Sequence, residues 1–502
     1  MRGHREGRLA WALVAALALA CGLPVLAVRY APLQDLPSHL LIASILSDPA
    51  KFRGAFQADL GFAPYSAYYA IVAALARFLP LVLAGKLVVA VTMAAIPVSV
   101  LLLVASTGRR PGWIALAAFP AGFTQIYFLG FASFLLAIPA YLLGLAALSL
   151  LLRGQRGAAA GAGVLAAGLF IYLAHPMVLG LYGLSVLVLA GWRARAVLRH
   201  PGQLLVVVAA GVLLPGATIL SGAVGGVLSD PSAVQFVSPL FTARFFADSH
   251  VGLYTFPWNA LSIAGAALLV CGALLGLGRR GSIRERDVAG ALTILALLAV
   301  LMFALPFRRG ISPTYVNVRL APLLTLWLVI VLALLSRPPS DGAAARGRTP
   351  ILLGIALLLV NAWSAHVRFD AEARSVEPAF AAMRPGARVL PLCFDRHSRV
   401  FAPRHWNDLY LHFQDYYHAR NGGIDPYVLT NPLVPVLYRG ELIETPGEYR
   451  PERFRWSAHG GGFDYFLVRG PARGRAKEEL EGSTRLVVAS PPWFLSEPPA
   501  RE

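Results

Sequence analysis

An acid and an imidazole lie one helical turn apart near the start of the chain, in the stretch PLQDLPSHLL. Asp35 and His39 share one face if a helix begins early in this stretch, and both side chains can exchange protons. The same residues also suit a simple helix start, in which Asp35 caps free amides and Pro37 occupies the first turn. The residues alone favour the cap, whereas a position at the outer mouth of a helical bundle favours chemistry.

A second ionisable group stands between two apolar runs, in YLAHPMVLG. His175 ends one predicted helix, and Pro176 begins the next. An ionisable side chain between two membrane spans is a functional candidate by default. A capping histidine in a tight helical hairpin explains the same pattern, and both interpretations remain open.

Arginines gather late in the chain, in FRRGISPTYVNVRLAPLL. Arg308 and Arg309 fall in a predicted outer loop, and Arg319 starts the apolar run that follows, all at the predicted outer mouth of the bundle, where topology does not require positive charge. Guanidinium groups bind phosphate oxygens through paired donors, although snorkelling to lipid head groups is the simpler alternative. We interpret at least one of the three as a ligand for a specific phosphate. Arg244 and His250, in FTARFFADSHVGLY, are further candidates for substrate contact on the same face.

Composition sets the class of protein. Apolar residues make up 57% and charged residues 14% of the 502, and mean hydropathy is +0.63. This composition predicts a polytopic α-helical membrane protein. The formal charge of +18 resides mostly in short loops between apolar runs, so it indicates topology rather than a nucleic-acid partner. Five tail histidines lack a zinc spacing, and we expect them at the surface: His397, His405, His412, His418 and His459.

Charge also predicts sidedness. The basic N-terminus should be cytoplasmic, and the run 65–83, rich in tyrosine and bounded by prolines, suits an interfacial helix. All five later basic loops then become cytoplasmic, with about eleven spanning helices. The expected domains are a transmembrane module, 1–367, with an outer loop at 29–85, and a small extracytoplasmic α/β domain, 368–502. The segments ARVLPLCF, FDYFLVRG and TRLVVAS are typical strands of that domain.

The order of first helix, acid-bearing outer loop, juxtamembrane helix, bundle and outer α/β domain resembles the GT-C superfamily of membrane glycosyltransferases. This superfamily includes protein O-mannosyltransferases and the aminoarabinose transferases that modify lipid A. In the family an acid in the first outer loop is the catalytic base or a metal ligand. The resemblance gives this role to Asp35, with His39 within a turn of it. FAPYSAYYAIVAALARFLP resembles the family's juxtamembrane segment.

The resemblance also implies the substrates. A sugar would move from a polyprenyl-phosphate donor to a glycan, lipid or protein acceptor, at the outer face of a bacterial-type inner membrane. His175 falls where some members place a lysine on the donor phosphate, and VRLAPLL is similar to the family's entry into a late helix. Leu36 replaces the second acid of the family's pair, and Ser133 stands where some relatives have an aspartate. We therefore assign no metal site and no cofactor, and a divalent metal is doubtful. The expected phosphate ligands are His175, Arg308, Arg309 and Arg319.

Two other classes of function remain. One is a non-enzymatic lipid or polysaccharide transporter or assembly subunit, which would favour paired repeats and broken helices near the midplane. The other is an O-antigen-type polymerase or ligase, which would share the substrate and the side of the membrane. A large outer loop with late paired arginines suits the second class, and an outer C-terminal domain of this size suits it less.

Overall fold

The computed structural model describes residues 2–52, 54–220, 234–277, 285–308, 315–336, 342–402, 408–428, 434–440 and 443–499. The chain is mostly helical, with a small sheet near the C-terminus, which confirms the coarse prediction. Nine helices in the described ranges are long and apolar enough to cross a membrane. They are Ala10–Ala27, Leu81–Ser106, Ala132–Leu152, Gly157–Ala174, Pro201–Leu220, Trp258–Gly276, Arg286–Ala304, Val318–Leu335 and Arg346–Ala382.

Two further segments of the bundle form shorter apolar helices, Trp113–Phe128 and Pro176–Gly191. The first is irregular, with 3₁₀ turns at Trp113–Ala118 and Pro120–Gly122. A 3₁₀ turn rises about 2.0 Å per residue, against about 1.5 Å in an α-helix, so the segment covers more depth per residue. Most of its residues are buried against neighbouring helices, where irregular backbone is tolerated at membrane depth.

The run 65–83 is divided rather than one helix. A helix spans Ser66–Leu75, and the next begins at Leu81, immediately after Pro80. The first helix has 10 residues and is about 15 Å long, which is half the thickness of a hydrocarbon core. It packs against its neighbours Leu36–Ser47 and Leu81–Ser106. The outer loop therefore contains two short helices that lie against the bundle.

Six strands complete the fold: β1 Phe56–Ala58, β2 Val389–Cys393, β3 Val436–Tyr438, β4 Tyr465–Arg469, β5 Arg485–Ser490 and β6 Trp493–Glu497. The larger sheet has the order β2-β4-β6-β5, with β2 and β4 parallel and the other pairs antiparallel. The three segments predicted as strands coincide with β2, β4 and β5. The sequence did not predict β6.

The tail and the outer loop form one layer at one end of the bundle. Strand β1 of the loop pairs antiparallel with β3 of the tail, and Ser38 donates a hydrogen bond of 2.6 Å to the buried Asp415. The last long helix, Gly342–Ala373, runs through the predicted boundary at 367/368. The described helices outside the candidate spans include Leu36–Ser47, Ala194–Arg199, Pro239–Val251, Asp415–Asn421 and Gly474–Ser483.

Candidate functional site

Asp35 is held in place by backbone hydrogen bonds to a distant turn. The amides of Gln34 and Asp35 donate to the carbonyls of Phe128 and Leu129, at 2.9 and 3.1 Å. The helix Leu36–Ser47 begins immediately afterwards, but the Asp35 side chain makes no capping hydrogen bond. Asp35 therefore occupies the cap position without capping chemistry, and its carboxylate is available for other partners.

Gly130 allows this close approach. Its φ is +81°, in the left-handed region that favours glycine, and a Cβ there would lie 2.7 Å from the Asp35 nitrogen. A side chain at this position would push the loop and the turn apart. The position of the Asp35 carboxylate thus depends on a glycine 95 residues later in the chain.

The Asp35 carboxylate is mostly buried, with its side chain 15% exposed, and charged groups surround it. His412 Nε2 lies 3.6 Å from Oδ1, and Gln34 Nε2 lies 3.4 Å from the same oxygen. Burial raises the pKa of Asp35 to about 6, although His412 and Arg319 lower it, and Glu448 raises it. A carboxylate with a pKa near the working pH is suited to accept a proton.

His39 contacts aromatic side chains. Its Nδ1 lies 2.9 Å from the Tyr69 hydroxyl, and its ring is 5.4 Å from the ring of Tyr68. Burial lowers the pKa of His39 to about 4, although a hydrogen bond to the Gly130 backbone raises it. His39 is therefore neutral at physiological pH, and it positions Tyr69 beside the Asp35 loop.

His175 and Arg319 meet at the same end of the bundle. The Arg319 guanidinium lies 3.3 Å from His175 Nε2. Since a guanidinium only donates, Nε2 accepts, and the ring hydrogen resides on Nδ1. His175 is 2% exposed, and its Nδ1 has no hydrogen-bond partner among the described residues. A buried donor without an acceptor is costly, so this N–H suits an incoming oxygen such as that of a phosphate.

Aromatic rings surround this pair. The guanidinium of Arg319 lies 4.2 Å from the centre of the Phe131 ring, and the Tyr65 ring is 4.9 Å from that of His175. Tyr65 and Tyr315 have φ of 65° and 63°, two of the three non-glycine residues with positive φ in the described ranges. Both tyrosines interact electrostatically with Arg319. Strained backbone of this kind is concentrated at functional sites.

The remaining predicted residues have other placements. Arg308 is exposed and pairs through its backbone with Gln235. Arg309 lies outside the described residues. Arg244 forms an ion pair of 3.4 Å with Asp248. Both ring nitrogens of His250 have protein partners, the Phe246 carbonyl and the Thr325 hydroxyl, each at 2.8 Å. The structure thus brings together Asp35, His39, His175 and Arg319, and it gives Arg244 and His250 partners of their own.

The sequence analysis missed His412 and Glu448. His412 is 5% exposed, and its Nδ1 lies 2.8 Å from Glu448 Oε1. The expectation of surface histidines is wrong for His412, His418 and His459, which are buried. Side-chain spacing gave no signal, because His412 and Glu448 come from separate loops of the tail. Only the dense aromatic surroundings in LHFQDYYH indicated a buried segment.

Among the described residues, no group of three or more histidine, cysteine, aspartate or glutamate side chains is arranged to hold a metal ion. Known proteins provide no further guide to the site. No family model matches the chain, and no curated protein matches it. The candidate site is therefore defined by the geometry around Asp35, His175 and Arg319.

Proposed function

We propose that this protein is a membrane glycosyltransferase of the GT-C type, which moves a sugar from a polyprenyl-phosphate donor to an acceptor outside the cytoplasm. The observation that carries the proposal is the convergence of the mostly buried Asp35 carboxylate with the Arg319–His175 pair. Asp35 lies beside the turn that precedes the helix Ala132–Leu152, and Arg319 lowers the pKa of its carboxyl. His175 and Arg319 complete the same end of the bundle.

The proposed reaction uses each group once. An acceptor hydroxyl or amine attacks the anomeric carbon and gives its proton to the Asp35 carboxylate. The bond between that carbon and the donor phosphate oxygen breaks, and the phosphate leaves with the electron pair. Arg319 and the Nδ1–H of His175 stabilise the charge on the leaving phosphate. A positioned base contributes roughly 10²–10⁴-fold, and fixed donors at the developing charge are often worth more.

The aromatic rings beside the cationic pair suit the rest of the donor. Tyr65, Phe131 and Tyr315 present ring faces and edges next to Arg319. Tyrosine combines an apolar ring with a polar hydroxyl, which suits a sugar at a membrane interface.

The decisive experiment replaces the proposed base. In cells that lack the gene, we expect the wild-type chain to restore an envelope sugar that mass spectrometry detects, and Asp35→Asn to restore none. Asparagine keeps the size of the side chain and removes its proton-accepting charge. The matched control is Asp287→Asn, which removes a carboxylate at the other end of the bundle and should restore the sugar. Equal restoration by Asp35→Asn would reject the mechanism.

Sidedness has its own test. A reporter fused after Gly108 should lie in the cytoplasm, and a reporter fused after Ser375 should lie outside the cytoplasm. This arrangement places the tail and Asp35 where lipid-linked sugars are the activated donors. A cytoplasmic reporter after Ser375 would contradict the proposal even if all of the mutants behaved as expected.

One observation favours a transporter or assembly subunit as the second candidate. The segment Trp113–Phe128 is a broken, mostly buried run of short helices, and transporters use interrupted helices at their binding sites. A transporter would return the lipid-linked sugar chemically unchanged. A transferase, or an O-antigen-type polymerase or ligase, would form a new glycosidic bond. Analysis of the lipid-linked products therefore separates these candidates.

A further inference from the structure

His412 lies between two carboxylates that come from different parts of the chain. Its Nε2 is 3.6 Å from Oδ1 of Asp35, in the outer loop, and its Nδ1 is 2.8 Å from Oε1 of Glu448, in the tail. The His412 side chain is 6% exposed, and that of Glu448 is 19% exposed. Both contacts are within ion-pair distance, and His412 Nδ1 and Glu448 Oε1 are close without being aligned for a hydrogen bond.

The two contacts favour a positively charged ring. A carboxylate oxygen only accepts, so each ring nitrogen that faces one is best occupied by a hydrogen. Burial lowers the pKa of His412, but Glu448 and Asp35 outweigh this effect, and the pKa rises to about 9. His412 is therefore an imidazolium across the physiological range, enclosed between two anions.

A lone carboxylate at this site would tend to be neutral. Burial is the largest influence on Asp35, and it favours the protonated acid, which cannot accept a proton. His412 is the strongest opposing influence, ahead of Arg319. Glu448 acts on Asp35 in two opposing ways. It raises the pKa of Asp35 directly, and it also raises the pKa of His412, whose positive charge lowers the pKa of Asp35.

We propose that His412, oriented and kept charged by Glu448, is the positioning residue that maintains Asp35 as a carboxylate. The tail thereby contributes to the proton-accepting site, although the sequence assigns that site to the outer loop alone. The inference rests on the proposed function for its catalytic meaning, but the charge relationship itself can be measured without substrate. The other groups that interact with the pair are Gln34, Arg319, Tyr69, Tyr315 and Tyr449 on the side of Asp35, and His39 and Asp425 on the side of His412.

The experiment measures the protonation of Asp35 in the full-length protein in detergent. Dicyclohexylcarbodiimide reacts with protonated carboxyls in apolar surroundings, and peptide mass spectrometry quantifies its adduct at Asp35. In the wild type we expect labelling to fall as pH rises, with a midpoint near the pKa of about 6. In His412→Gln the midpoint should move upward by about one pH unit or more, since an opposite charge has been removed.

Two variants serve as controls. His412→Lys keeps a positive charge, so its midpoint should stay near that of the wild type. His418→Gln removes another buried histidine of the tail, whose ring faces the Gly422 carbonyl, and it should leave the midpoint unchanged. An unchanged midpoint in His412→Gln would overturn the proposal, as would equal upward shifts in His412→Gln and His412→Lys.

A reciprocal measurement applies even if His412→Gln does not fold. Asp35→Asn keeps the side-chain size and removes one of the two anions beside His412. Hydrogen–deuterium exchange at the imidazole C2, followed by mass spectrometry, should report a lower pKa for His412 in this variant. An unchanged value would overturn the proposed coupling. Neither measurement requires turnover, so failure of the transferase proposal and failure of this inference give different results.

Discussion

The two ends of the helical bundle differ in the partners of their arginine side chains. At the end that contains Asp287, arginines from three separate loops meet carboxylates. Arg153 and Arg193 lie 3.3 and 2.6 Å from Asp287, and Arg109 pairs with Glu285. At the end that contains Asp35, a guanidinium faces an imidazole, and a buried ring N–H has no described partner. We call these the Asp287 end and the Asp35 end.

From this difference we infer a structural role for the charges of the Asp287 end and propose a functional role for those of the Asp35 end. At the Asp287 end, cations and anions satisfy one another, as expected for a network that fixes helices and topology. A cleft at this end is lined by groups that include Thr107, Arg193 and Asp287, and two of these already form an ion pair. At the Asp35 end, Arg319 contacts His175, and the Nδ1–H of His175 has no acceptor among the described residues, which is the arrangement expected of a site that awaits a ligand.

Removing the guanidinium at the Asp35 end should have the largest effect. A hydrogen bond to a charged group contributes about 1.5–3 kcal/mol, so Arg319→Ala should weaken binding of undecaprenyl phosphate by about 10–150-fold. The purified protein in detergent can be titrated with this lipid by native mass spectrometry. The matched change at the Asp287 end is Arg193→Ala, for which we expect unchanged affinity. If both variants bind as the wild type does, the contrast between the two ends has no functional meaning.

Changing the glycine that positions Asp35 should have the next largest effect. Gly130→Ala places a Cβ 2.7 Å from the Asp35 nitrogen, and a small misplacement of reacting groups can cost about 10²-fold in rate. We expect sugar transfer to fall about tenfold or more. The control is Gly154→Ala, because Gly154 also has positive φ, +73°, but a Cβ there meets nothing within 4 Å. Equal transfer rates in the two variants would show that the close approach does not matter.

Acidification should reduce the rate more gradually. Burial raises the pKa of Asp35 to about 6, so the carboxylate form persists above that pH and is lost below it. The initial rate of transfer in membrane vesicles should fall about tenfold per pH unit below the pKa. A rate that stays constant down to about pH 4 would exclude Asp35 as the base.

Elements with strong local signals could be predicted from the sequence. Strands β2 and β4 are buried at every position and therefore appear as continuous apolar runs. Strand β6 was missed because its serine and glutamate break the apolar pattern and prolines flank it. The count of about eleven spans remains a prediction, since the described residues form nine candidate spans and four shorter apolar helices.

Only part of the candidate site could be predicted from the sequence. Asp35, His175 and Arg319 could be singled out because each is an ionisable residue next to an apolar run. Ionisable side chains at membrane depth are costly and therefore indicate a function. His412 and Glu448 lie 36 residues apart in a polar tail, where charge is ordinary. Their pairing arises from tertiary packing alone. Arg308 and Arg319 looked equivalent in sequence, but one is exposed, and the other lies against Phe131 and His175.

Removing the carboxylate of the Asp287 end should have the smallest effect. Asp287→Asn removes the anion shared by Arg153 and Arg193, whose side chains are 29% and 16% exposed. Partly exposed ion pairs contribute about 0–1 kcal/mol each, so we expect thermal unfolding in detergent to shift by only a few degrees. Donor binding should be unchanged, because no described contact links Asp287 to His175 or Arg319. A loss of undecaprenyl phosphate affinity in Asp287→Asn would mean that the two ends are coupled through the bundle, and the division between structural and functional charge would then fail.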